Sequence, residues 1–198
     1  MKLKVCGMRD NENILALSDL GPDYIGFIFW ASSSRYVNSP TPKLDKKIKK
    51  TGVFVDANVE YVQDIIITHQ LQAVQLHGKE TPSYCELIKE FGVEVIKSFS
   101  IKDYFDFSLL VPYQENCDFF LFDTKGPSPG GNGYTFKWGF YRWLEQMALD
   151  KIPTQSVTVK EFGFSDSCEQ ILDEGKCSYS SEYYILYQGG NDRLSIYQ

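Results

Sequence analysis

Cys6 ends the short apolar stretch Leu3-Lys4-Val5-Cys6 and is followed at once by Gly7. A strand that delivers a thiol into a turn has the makings of a site, because the thiolate is a nucleophile and a base; without a site, such a cysteine is a small buried hydrophobe. Other polar groups stand at comparable places. Gln75 and His77 close the stretch Ala73-Val74-Gln75-Leu76-His77-Gly78, Asp123 ends Phe119-Phe120-Leu121-Phe122-Asp123, and Arg35 is the one arginine of the polar loop Ser32–Tyr36. Taken singly, Asp123 reads as a strand-end cap, Arg35 as a surface ion pair and His77 as a structural hydrogen-bonder. Metal chemistry is not signalled. The five cysteines (Cys6, Cys85, Cys117, Cys168, Cys177) are odd in number and form no Cys-x-x-Cys pair, and His69 and His77 are the only histidines.

The 198 residues suffice for one sizeable domain, here read as a single barrel-type domain over 1–198. With 43% hydrophobic and 23% charged residues the composition is that of an ordinary globular chain. A net charge of −6 argues against a nucleic-acid partner, because neutralising phosphates takes a concentrated basic face. No apolar run approaches the ~20 residues that span a bilayer, and no secretory signal opens the chain, so no membrane partner and a cytoplasmic location are expected.

The elements that must position these groups alternate. Asp10 or Asn11 caps a helix that runs to about Leu20 and is stopped by Gly21-Pro22. Tyr24–Phe29 is a continuous apolar run, the pattern of a strand covered on both faces. Pro40 and Pro42 open a lysine-rich helix over Lys43–Lys50, with Leu44 and Ile48 at helical spacing. Thr51–Val55 is a strand, and Asn58 caps a helix to about His69. A strand ends at His77-Gly78, a helix starts near Thr81-Pro82 and runs to Phe91, Val93–Lys97 is a fifth strand, Lys102 to about Leu110 a helix, and Phe119–Asp123 a sixth strand. Six such units imply parallel pairing, and the absence of a Gly-x-Gly-x-x-Gly after any strand favours a (β/α) barrel over an open nucleotide-binding sheet. Beyond Asp123, the glycine-rich stretch 125–133 is either a lid or a plain long connection. From Gly139 the pattern deteriorates: Phe140–Leu149 is a helix candidate, and Gln155–Lys160 and Tyr183–Tyr187 are isolated strand candidates.

Lys4-Val5-Cys6-Gly7, Gly26–Phe29, Ser34-Arg35-Tyr36, Gly52–Val55, Ala73–Gly78, Leu121–Lys125 and Gly130-Gly131-Asn132-Gly133, in this order, resemble the phosphoribosylanthranilate isomerase family of tryptophan biosynthesis over residues 2–138. The resemblance implies a (β/α)8 barrel of TIM type with its last two units atypical or missing. It also implies no cofactor, and a small phosphorylated substrate. The reaction is an Amadori rearrangement, from N-(5-phosphoribosyl)anthranilate to 1-(2-carboxyphenylamino)-1-deoxyribulose 5-phosphate. It needs an acid for the furanose ring oxygen and a base for the proton on C2′. The resemblance makes Cys6 the base and Asp123 the acid. Arg35, a planar bidentate donor, meets the anthranilate carboxylate, and Gln75, His77, Gly130, Gly131 and Gly133 contact the substrate.

A thiol with its ordinary pKa of ~8.5 is a poor base at neutral pH, and Arg9 together with the helix start near Asn11 is the expected aid. An aspartate, ordinarily near ~3.9, holds a proton only if desolvated, for which Phe120 and Phe122 are the expected neighbours.

After Trp138 the family pattern is not recognisable, and Tyr134 and Lys137 replace residues more usual in the family. The tail is either a foreign reading frame or a truncated and diverged end. Gly189-Gly190 is a weak candidate for the phosphate site, since a dianion needs several backbone donors. Weak or absent barrel closure, low or no turnover, a dynamic tail and a tendency to self-associate through strand edges, as a homo-oligomer, are therefore expected from 139–198. The alternative to an isomerase is a catalytically silent partial barrel serving as a binding or assembly module.

Overall fold

The computed structural model describes residues 3–101, 105–124, 156–160 and 184–188. These fall in two units, one holding 3–98 and 109–119, the other the remainder. The stretch 125–133, the helix candidate Phe140–Leu149, and Gly130, Gly131, Gly133, Gly189 and Gly190 lie outside the described residues.

In the first unit the chain runs β1 (Lys4–Cys6), α1 (Asn11–Asp19), β2 (Tyr24–Ile28), β3 (Lys49–Phe54), α2 (Val59–His69), β4 (Ala73–Leu76), α3 (Pro82–Lys89) and β5 (Glu94–Ile101), which continues into the second unit. The helix starts follow the capping chemistry of the sequence. Asp10, Asn58 and Thr81 each accept the backbone N–H three residues on, and Pro82 occupies the first turn of α3, where its missing N–H costs nothing.

All pairings from β1 to β5 are parallel, and each strand lies beside its predecessor in sequence. A sheet wound in one direction with no reversal of strand order is the barrel arrangement, whereas a doubly wound sheet changes direction at a switch point. Register assigns the faces, since side chains alternate along a strand. Cys6, Gly26, Thr51, Ala73 and Glu94 follow one another across the sheet on one face. Phe54 belongs to the other face, where its ring meets Tyr61 of α2.

Two connections differ from the sequence expectation. Lys43–Lys50 is not a helix: the chain from β2 to β3 is irregular apart from turns and a single bridge from Tyr36 to Ile28, and Lys49 and Lys50 are the first residues of β3. Pro40 and Pro42 disfavour the helical conformation in the residues before them, and Ile48 is buried as the lead-in to the strand rather than as one stripe of a helix. Lys50 is buried too, its Nζ donating to the Pro42 carbonyl at 3.2 Å, and burial lowers the pKa of its ammonium.

The second difference is the expected helix from Lys102. It is a 3₁₀ segment over Phe107–Tyr113, entered by an Asp106 side chain that accepts the Ser108 N–H at 3.0 Å; residues 102–104 lie outside the described residues. Pro112 within the segment lacks the N–H that a longer helix needs.

The second unit contains β6 (Phe119–Thr124, from Phe120 on), with β8 (Tyr184–Gln188) between β6 and β7 (Ser156–Lys160) in strand order. β7 and β8 pair antiparallel, from Ser156 opposite Gln188 to Lys160 opposite Tyr184, and so depart from the parallel β/α repeat. The two strand candidates of the tail are thus strands, each within a residue of its expected bounds.

A buried ion pair holds the end of β4. Lys97 Nζ and Glu80 Oε2 are 3.0 Å apart, and the lysine also donates to the carbonyls of Leu76 at 3.2 Å, Gly78 at 2.8 Å and Ser98 at 3.0 Å. Lys97→Met should cost ~3 kcal/mol in urea unfolding, because it leaves a buried carboxylate without its cation; adding Glu80→Gln should recover part of that loss. A loss below ~1 kcal/mol would show that water reaches Glu80 in the native state.

Candidate active site

Cys6 is the last residue of β1, opposite Gly26 of β2. A Cβ on Gly26 would stand 2.7 Å from the Cys6 Sγ and 3.1 Å from its Cα, so the sulfur occupies the space that any side chain there would fill. The Gly26 carbonyl then accepts two N–H groups in succession, from Gly7 at 3.0 Å and Met8 at 3.1 Å, and turns the chain out of the strand. Gly7 is in the left-handed region (φ +82°), and a Cβ on it would fall 2.4 Å from Nη1 of Arg35. Glycine after the cysteine is therefore needed twice, for the turn and for the approach of the guanidinium.

Arg35 reaches this turn because its loop is built to carry it there. Tyr36 donates to the Ser33 carbonyl at 3.1 Å, Ser33 Oγ accepts the Arg35 N–H at 3.2 Å, and Val37 donates to the Ile28 carbonyl at 2.9 Å. Arg9 closes the arrangement, its Nη1 donating to the Ser34 carbonyl at 2.6 Å. Cys6 and Arg35, twenty-nine positions apart in sequence, thus share the end of β1.

Each expected aid to the thiol carries a hydrogen bond of its own. Arg9 is engaged by Ser34, and the N-terminus of α1 is capped by the Asp10 carboxylate, which takes the Asn13 N–H at 3.0 Å. Lys4, two residues back on the same face of β1, places its Nζ 3.0 Å from the same Gly26 Cβ position. Sequence reading passed over Lys4, although the period of two in Lys4-Val5-Cys6 was a usable signal.

Gln75 is fully inside at 1% exposure, with its Nε2 donating to Ser98 Oγ at 3.0 Å and its Oε1 without a hydrogen-bond partner among the described residues. His77 sits just past the end of β4, its backbone N–H donating to the Phe54 carbonyl at 2.8 Å. The turn after it is held by Glu80, which accepts from Gly78 and Asp56, and by Asp56, which accepts the Lys79 N–H at 2.6 Å. Lys97 figured in the sequence reading only as the end of the fifth strand and Glu80 not at all; a lysine inside an apolar strand was the signal for the pair.

In the second unit Asp123 is buried at 6% exposure on β6. Alternation sets Leu121 on its face and turns Phe120 and Phe122 the other way, where their rings pack with Phe99 and Phe105 at centroid distances of 5.5–6.2 Å. The phenylalanines expected to desolvate Asp123 thus belong to a separate aromatic cluster.

Of the remaining cysteines, Cys85 and Cys117 are buried and hydrogen-bonded to each other. That bond pushes the Cys117 thiol up, with burial adding to it, and draws Cys85 down. Cys168 and Cys177 lie outside the described residues. No group of three or more histidine, cysteine, aspartate or glutamate side chains among the described residues could hold a metal ion, and no helix among them is long and apolar enough to cross a membrane.

Parallel strands laid down in chain order, with a thiol, an amide and an imidazole at their C-terminal ends, define a (β/α)-barrel enzyme of the TIM type. The chain belongs to the N-(5′-phosphoribosyl)anthranilate (PRA) isomerase family, whose model matches residues 3–152 and so reaches further than the 2–138 of the sequence resemblance. The N-(5′-phosphoribosyl)anthranilate isomerase of Phocaeicola vulgatus is 43% identical over 138 residues, covering 70% of this chain and 67% of that protein. The one from Parabacteroides distasonis is 38% identical over 144 residues, covering 70% and 65%. The matched part therefore spans about two-thirds of these relatives. Among solved structures, the phosphoribosyl anthranilate isomerase of Thermotoga maritima aligns over 74% of this chain and 72% of its own, with TM-score 0.62 and 33% identity. That of Thermus thermophilus aligns over 75% and 72%, with TM-score 0.61 and 26% identity.

Gly26→Ala should lower kcat at least ~10-fold while far-ultraviolet circular dichroism stays native, since the added methyl displaces the sulfur, at ~1–3 kcal/mol in stability. Gly21→Ala is the control: at φ +65° with open space around it, it loses stability through the backbone alone and keeps kcat.

Proposed function

We propose that this chain is a phosphoribosylanthranilate isomerase in which Cys6 is the general base and Asp123 the general acid. The observation that carries the reading is the berth of Cys6: two glycines, Gly7 and Gly26, leave room for a sulfur at a strand end and for the guanidinium of Arg35 beside it. A cysteine serving only as core filler needs neither.

Protonation of the furanose ring oxygen by Asp123 breaks the C1′–O bond and yields the Schiff base of the open-chain sugar. Removal of the C2′ proton by Cys6 then sends the electron pair into the C1′–C2′ bond, giving an enolamine that tautomerises to the ketone. Arg35 is assigned to the anthranilate carboxylate, which suits its fork of donors. Gln75, whose amide oxygen has no partner among the described residues, and His77 are assigned to the substrate hydroxyls. Gly130, Gly131 and Gly133 are assigned to the substrate, and Gly189 and Gly190 remain the candidates for its phosphate. The substrate is a small phosphorylated molecule.

The test is consumption of phosphoribosylanthranilate by the purified chain, followed by loss of its fluorescence. Cys6→Ala should abolish turnover at a stability cost of only ~1 kcal/mol, since one half-buried sulfur is removed. A variant as active as the parent would return Cys6 to the core. Asp123→Asn keeps the shape but cannot donate to the ring oxygen; kcat should fall ~10²-fold or more with little change in KM. An unchanged kcat with raised KM would make Asp123 a residue that binds rather than reacts.

A further inference from the structure

We propose that Lys97 is a positioning residue for Gln75 and His77, the two side chains assigned to the substrate hydroxyls, and holds them from the far side of the sheet. The inference rests on that assignment and names the group behind it. Lys97 lies in β5 at 2% exposure. Enclosing a lysine is costly unless its donors are met, and few lysines are so enclosed. A buried ion pair is often replaceable by apolar side chains of similar volume, so the pairing with Glu80 does not by itself account for a lysine here. What an apolar side chain cannot supply is a donor to backbone carbonyls.

Those carbonyls belong to the residues around the two candidate binders. Lys97 Nζ donates to the Leu76 carbonyl at 3.2 Å and to the Gly78 carbonyl at 2.8 Å, one on each side of His77. The N–H groups of this stretch are taken in turn: that of His77 by the Phe54 carbonyl at 2.8 Å, that of Gly78 by Glu80 at 3.0 Å, and that of Lys79 by Asp56 at 2.6 Å. Glu80 is itself held by Lys97 Nζ at 3.0 Å. The same Nζ donates to the Ser98 carbonyl at 3.0 Å, and the Ser98 hydroxyl accepts Gln75 Nε2 at 3.0 Å. One nitrogen thus joins the backbone around His77 to the backbone of the residue that holds Gln75. Register keeps it off the face that Gln75 occupies. Gln75 lies opposite Ile96, with Ser98 two residues further on the same face, whereas Leu76 lies opposite Lys97 and both turn the other way.

The double variant Lys97→Met with Glu80→Gln separates positioning from stability, because it removes both charges of the pair and leaves the three carbonyls without their donor. In the phosphoribosylanthranilate assay its KM should rise ~10-fold with kcat little changed, as expected when groups that bind the substrate are displaced. A merely structural lysine would lower the active fraction, and with it the apparent kcat, at a parental KM; that result in a variant with native far-ultraviolet circular dichroism overturns the proposal. Histidine-ring nuclear magnetic resonance of the same proteins reads the positioning without substrate, since His69 and His77 are the only histidines. The His77 ring signals should shift or broaden in the double variant while those of His69 on α2 stay in place, and unmoved His77 signals overturn the proposal whether or not the chain turns over. An inactive parent in which the His77 signals do respond to the double variant would instead sink the assignment to substrate and leave the positioning standing. If the double variant does not fold, hydrogen exchange in the parent decides: the N–H groups of His77 and Gly78 should exchange as slowly as those of β4, and exchange at the rate of a free peptide overturns the proposal.

Discussion

One missing side chain organises the candidate site. Where β1 and β2 run side by side, Gly26 stands opposite Cys6, and the absent Cβ is what lets the sulfur of Cys6 and the ammonium of Lys4 enter the same small volume. The constraint acts through register. Parallel pairing sets Lys4 against Tyr24, Val5 against Ile25 and Cys6 against Gly26, and a slip of one residue would turn every one of these side chains to the opposite face. The carbonyl of the same glycine then draws in two successive N–H groups as the chain leaves the strand, so the direction of the exit and the room for the thiol have one origin.

The neighbouring strand ends are held by different means. At β4 a buried lysine and glutamate bind the backbone of the turn: Lys97 collects the carbonyls of Leu76, Gly78 and Ser98, while Glu80 collects the N–H groups of Gly78 and Asp56. A turn at the end of a buried strand would otherwise leave these groups unsatisfied, and each such group costs about as much as a lost hydrogen bond. The pair is worth its desolvation as much for the backbone it organises as for its own attraction. At β2 the work falls to the loop itself, where Ser33, Ser34 and Val37 tie residues 33–37 back to Ile28 and to Arg9, and Arg35 is delivered to the turn after Cys6.

Much of this was legible in the chain as written. Helix starts at Asp10, Asn58 and Thr81 follow from side chains that accept a nearby N–H, a local interaction that needs no tertiary partner. The continuous apolar run Tyr24–Ile28 and the alternation of strands with helices led to parallel pairing, because strands covered on both faces carry no polar alternation. Cys6, Gln75, His77 and Asp123 were visible as polar groups at the ends of apolar stretches and Arg35 as the one arginine of a polar loop, and the ordered motifs pointed to the family to which the chain belongs.

What the tertiary structure decided depends on contacts between residues distant in sequence. Leu44 and Ile48 have the same spacing whether the segment is a helix or the approach to a strand; the prolines and the partner strand β2 settle it as the approach to β3. That Phe120 and Phe122 turn away from Asp123 follows from β6 being a strand, while their packing on Phe99 and Phe105 is a matter of folding. The surroundings of the basic residues were tertiary as well: Arg9 is drawn to the carbonyl of Ser34, while Lys4 and Cys6 reach one small volume through the strand's period and the missing side chain of Gly26. Sequence determined which groups were available and which local conformations they favoured; only the register of one strand on another decided which of them meet, because that register is the sum of many weak pairings that no single segment encodes.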